Sequence, residues 1–123
     1  MGEINNLNGV HGVIAVPSKG REVTTNGRPN TETIFDLKSL AVIGEVSTGK
    51  NPDALLYDPY SDEVFVFDRT GGTSTVIDLQ LAKVVGTITL GGSAVEAGVG
   101  DEKGNICVNL EDVNEIVVID AQS

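Results

Sequence analysis

"TIFDLKSLAVIGEV", residues 33 to 46, returns as "TVIDLQLAKVVGTI" at 75 to 88, and its first half returns again as "VVIDAQS" at 117 to 123. Asp36, Asp78 and Asp120 therefore stand 42 residues apart, and the same offset carries Gly86 to Gly44 and Gly44 to Gly2. A fixed period of about 20–50 residues marks an array of identical supersecondary units, none of which buries its apolar face alone. By this register "GEI" at 2 to 4 is the tail of one repeat, and the third repeat stops at Ser123 before the matching tail.

Each unit holds four short stretches of alternating apolar and polar residues divided by turn residues, the content of one four-stranded propeller blade. In the middle unit these are 53–59, 63–68, 74–79 and 83–90, named a to d from the axis outward. The first unit has them at 12–17, 21–26, 32–37 and 41–46. The third has a, b and c at 95–100, 105–110 and 115–120, with no d. The expected fold is all-β: antiparallel blades, about three per chain, in one partial β-propeller domain over 1–123. Its expected parts are an outer strand at 2–7 that completes a partner's blade, blade 1 at 8–48, blade 2 at 49–90, and blade 3 at 91–123 without its outer strand. A propeller closes with about 4 to 8 blades. Two chains exchanging edge strands would give six, so the expected partner is a second copy in a homodimer; the alternatives are a self-closed monomer or a piece of a longer propeller.

The strand c to d pattern V-I-D-x-x-x-x-K-V-V-G-T-I at 76 to 88, "GKNPDALLYDP" at 49 to 59, and the strand b segments Glu22–Asn26, Val64–Asp68 and Ile106–Leu110 carry a family likeness. The chain resembles the YVTN-type β-propeller repeats, kin to lactonase-like and nitrite-reductase-haem-domain-like propellers. Members usually carry about seven blades in one chain. The resemblance implies a binding or interaction module or, in the lactonase-like direction, a metal-dependent hydrolase with its site at the mouth of the central channel.

Composition narrows the function classes. With 18 acidic against 8 basic residues the formal net charge is −10, which would repel a phosphate backbone, so nucleic acid is not an expected partner. No stretch approaches the about 18 consecutive apolar residues of a membrane span, and the N-terminus lacks a secretory signal. The expectation is a soluble chain that neither spans nor binds a membrane, with its compartment undetermined. The single Cys107 excludes an intrachain disulfide; its alternation with Ile106 and Val108 reads as packing. There is no Trp to offer a stacking platform. Tyr57, Tyr60, Phe35, Phe65 and Phe67 read mostly as packing between blades.

"GEVSTGKN" at 44 to 51 imitates the G-x-x-x-x-G-K phosphate loop, but Asn51 stands where Ser or Thr must reach the metal, and no helix follows. The spacing is a by-product of the repeat. Asp36, Asp78 and Asp120, with Gly44 and Gly86, recur from unit to unit and are read as structural turn residues. His11, Asp53 and Glu96 differ between units while standing at or just before strand a, so they are the candidate ligand-binding residues at the channel mouth. Arg28 and Lys50 are candidates on the same face for an anionic small molecule. One His and no nucleophile motif leave a catalytic triad unsupported. No cofactor is predicted; the hydrolase alternative would need a divalent metal held by His11, Asp53 and Glu96.

Overall fold

A computed structural model describes residues 2–121. Within them the chain forms eleven strands and one short 3-10 turn: β1 (Val10–Val16), β2 (Arg21–Asn26), β3 (Thr31–Asp36), β4 (Val42–Ser47), β5 (Pro52–Asp58), β6 (Glu63–Asp68), β7 (Thr73–Asp78), β8 (Lys83–Thr89), β9 (Val95–Gly100), β10 (Asn105–Leu110) and β11 (Glu115–Asp120). They pair only with their neighbours in the chain, as two four-stranded meanders, β1-β2-β3-β4 and β5-β6-β7-β8, and one three-stranded meander, β9-β10-β11. The fold is all-β, and its sheets are the three expected blades. The ends of the expected domain and the last two residues of "VVIDAQS" lie outside the described residues.

The repeat extends to ladder register. Ile34 faces Gly44 and Thr33 faces Glu45 in the first sheet; 42 residues later Val76 faces Gly86 and Thr75 faces Thr87. Both ladders are interrupted by a bulge at the same place, after Ile34 and after Val76. Gly44 and Gly86 sit beside these bulges inside β4 and β8, so they are not turn residues: the bulge bends the outer strand within the ladder. Turns recur too, with left-handed backbone at Gly20, Asp62 and Gly104 between the first two strands of each sheet, and at Asn30, Gly72 and Asn114 between the next two. Asp36 does close a turn: its carboxylate accepts the backbone N–H groups of Lys38 and Ser39. Asp78 accepts the N–H of Leu81 in the same manner.

The core is two apolar layers between successive blades. Val23 and Ile34 pack on Val64, Val66 and Ile77; Phe65, Phe67 and Val76 pack on Ile106, Val108 and Ile119. Strand alternation makes this possible, since β6 and β7 send successive side chains to opposite faces and bury both. Gly98 belongs to the second layer, because a Cβ there would run into the Phe67 ring. β1, β5 and β9 lie side by side along the inner edge. Residues 2–7, expected as the outer strand of a partner's blade, pair with no strand among the described residues.

Candidate functional site

The inner edge gathers the candidate residues at equivalent places. His11, near the start of β1, puts Nε2 at 3.0 Å from Oδ1 of Asp53, near the start of β5. Thr25 braces this junction: its hydroxyl accepts the Gly12 N–H at 2.7 Å and donates to the Asp53 carbonyl at 2.8 Å. The His11 side chain is 64% exposed and that of Asp53 19%, so the pair forms a rim open to water. Glu96, at the matching place in β9, is turned elsewhere. Arg69, in the turn after β6, takes its carboxylate through Nη1 and reaches Glu111 through Nη2 at 3.9 Å. Two carboxylates on one guanidinium titrate apart: hydrogen bonding to Arg69 lowers the pKa of Glu96, while its contact with Glu96 raises that of Glu111.

The structure thus brings His11 and Asp53 together and withdraws Glu96. Among the described residues no three His, Cys, Asp or Glu side chains come together as a metal site. The loop "GEVSTGKN" runs from β4 to the edge of β5, with no helix for a phosphate to cap. Arg28 lies in the turn after β2 beside Gly9, and Lys50 lies just before β5, where its carbonyl accepts the Gly71 N–H. Arg69 and Glu111 are the rim residues that sequence reasoning passed over. Their signal was present: position 69 is Gly27 one repeat earlier, so Arg69 departs from its repeat mate as His11 does.

A second polar cluster lies inside. Glu32 of β3 is opposite Thr25 and faces the second sheet, fully buried, with neither carboxylate oxygen hydrogen-bonded. Across the junction Asp68 Oδ2 accepts the Thr73 and Thr75 hydroxyls at 2.7 Å each, while its Oδ1 has no partner. Burial, and then the charge of Asp68, hold the Glu32 carboxyl well above its ordinary range. Asn26, the repeat mate of Asp68, bonds Thr33 and Thr31 with a neutral amide.

The far side of the third sheet carries the two most exposed large apolar side chains among the described residues, Ile116 and Val99. Val99, Ile116 and Val118 are 68%, 71% and 60% exposed, and Cys107, half-buried, lies on the same face.

Several solved structures share this architecture. Hydrazine synthase of Kuenenia stuttgartiensis superposes with a TM-score of 0.84 at 20% identity over 96% of this chain and 34% of its own. The β-propeller domain of Myceliophteria thermophila Cps50 (Swd1) does so at 0.80 and 15% identity, over 98% of this chain and 38% of its own. The WD40 β-propeller domain of Doa1 gives 0.73 and 14%, over 89% and 36%. The fold is a β-propeller. At these identities the likeness speaks for the propeller fold alone, and the chain spans about a third of the length of each propeller-containing chain it matches. No protein-family model and no curated protein matches it.

Proposed function

We propose that this chain is a non-catalytic binding and interaction module whose three blades make half of a six-bladed ring formed by two copies. The observation that carries the reading is the open side of blade 3. A propeller blade buries both faces against its neighbours, as blade 2 does here, yet Val99, Ile116 and Val118 face water in the single chain. Exposed apolar surface of this kind marks an interface, and an unpaired β11 edge beside it adds a strand-pairing site. The ring would place two copies of the His11–Asp53 rim around one channel mouth, where a small molecule or a peptide would bind. Light scattering on a sizing column over a wide dilution range tests the reading. A stable mass of two 12.8 kDa chains supports it, and a persistent monomer overturns it.

The His11–Asp53 pair is the one observation that favours a lactonase-like hydrolase with a divalent metal at the mouth. Glu96 weighs against it, since a carboxylate already bound to Arg69 must be released before it can ligate. A stoichiometric divalent ion lost in His11→Ala would revive the hydrolase; activity toward simple lactones without such an ion would not.

A further inference from the structure

Residues 2–7 lie against blade 1 as the outer strand of one blade lies against the next. A Cβ at Gly44 of β4 would touch the Cβ of Ala82 in blade 2 at 3.7 Å. One repeat earlier, a Cβ at Gly2 would meet Leu40 of blade 1, and Leu40 is the repeat mate of Ala82. The chain leading inward follows the same pattern. The Gly27 N–H donates to the Gly9 carbonyl at 3.0 Å, as Arg69 N–H donates to the Asn51 carbonyl at 2.9 Å. Burial agrees: Ile4 is half-buried between exposed Glu3 and Asn5, as Val46 is between Glu45 and Ser47. The segment therefore holds the position of an outer strand relative to the following blade, while among the described residues no third strand stands beside it to pair with. β11 is the converse, a third strand whose outer edge opens onto a groove of about 620 Å³ lined by Phe65, Val76, Gly86, Ile88, Val117 and Ile119.

We infer that residues 2–7 of a second copy are the fourth strand of blade 3, laid antiparallel on β11 with Val118 opposite Gly2, Val117 opposite Glu3, Ile116 opposite Ile4 and Glu115 opposite Asn5. The register comes from the two complete blades. Ile34–Gly44, Thr33–Glu45, Glu32–Val46 and Thr31–Ser47 in the first, and Val76–Gly86, Thr75–Thr87, Ser74–Ile88 and Thr73–Thr89 in the second, are the same pairs displaced by whole repeats. The flanking bond follows as well. Thr48 N–H donates to the Asn30 carbonyl and Leu90 N–H to the Gly72 carbonyl, so the second copy's Asn6 donates to Asn114. Ile4 then covers the exposed Ile116 as a cross-strand apolar pair, and no like charges oppose one another. The exchange rests on the two-copy ring proposed above and specifies its junction.

Two single-cysteine chains test it, Ile4→Cys and Ile116→Cys, each with Cys107→Ala. Directly opposed residues on antiparallel strands are about 4.5–5.5 Å apart between Cα atoms, within the reach of a disulfide. Unfolded together, refolded and oxidised, the two should form a disulfide linking the different chains as the main product. Ile4→Cys with Val99→Cys, equally exposed but off the β11 edge, should form at least tenfold less. Native mass is measured on the same samples. A two-chain mass with no preferred 4–116 disulfide overturns the exchange and leaves the ring with another junction; a one-chain mass overturns both. Ile116→Lys, at an exposed position, should retain the wild-type circular dichroism and elute at the mass of one chain. An unchanged two-chain mass in that variant counts against the register.

Discussion

Glu32 sits where an apolar residue would serve blade packing better. Its repeat mate is the buried Ser74, and both of its oxygens are sealed from water without donors. An isolated buried carboxylate costs several kcal/mol, so burial favours the protonated form of this group in the folded chain. Its folded pKa lies well above the ordinary Glu value because of burial first and Asp68 second. The folded state then holds a proton that the unfolded chain releases above its own Glu pKa, and stability falls as pH rises from that value through the folded one. Glu32→Gln should raise stability by about 1 kcal/mol at neutral pH and flatten this dependence. Urea unfolding at pH 5 and pH 8 checks it: the wild type should lose more than the variant across the interval, and equal losses would dismiss the buried acid. Asp68 is raised by burial too, but the Thr75 and Thr73 hydroxyls and the Gly49 N–H oppose the shift. Thr75→Val should cost about 1 kcal/mol by removing one of these donors from a buried acceptor.

Between strands and sheets, the middle blade governs the packing. Phe67 of β6 lies over Gly98 of β9, and the inner strand of blade 3 passes close because no side chain intervenes. Gly98→Ala should cost about 2 kcal/mol by overpacking this junction, read as a lower urea midpoint with unchanged slope. Gly86→Ala is the matched control: a Cβ there would meet only the Val76 Cβ at 3.9 Å, so its loss should be the smaller. The eleven strand positions were legible in the sequence to within about two residues because alternation and turn residues are local signals. The misplaced elements are the ones whose cause is not local. Gly44 and Gly86 recur like turn residues, yet what recurs is a bulge, visible only as a slip of register between two strands. Residues 2–7 are a different case: they were expected to complete a blade of a second copy, and among the described residues no strand pairs with them.

As a whole molecule, the single chain ends its stack of blades on unlike surfaces. Blade 1 carries the N-terminal segment over part of one side, with Thr24, Asn26, Thr33 and Phe35 already buried; blade 3 leaves Val99, Ile116 and Val118 open. The proposed two-copy ring would bury that surface only on association, which would link folding to concentration. The apparent melting temperature should therefore rise steadily with protein concentration over a hundredfold range, and a constant value would argue for a self-sufficient monomer. The candidate site was partly legible at this scale: His11, Asp53 and Glu96 were found by asking which inner-edge positions change from blade to blade. Sequence could not say that Glu96 turns to Arg69, because that partner stands 27 residues away in the preceding blade.

The sequence by itself determined the 42-residue unit, the four-strand content of a blade and the all-β class, since period, alternation and turn chemistry are written along the chain. Tertiary structure decided which faces meet, where the buried acid lies, how the rim charges pair and where residues 2–7 rest. Those outcomes depend on side chains brought together from different repeats, whose contacts follow from the packing of blades around an axis rather than from spacing within any one of them.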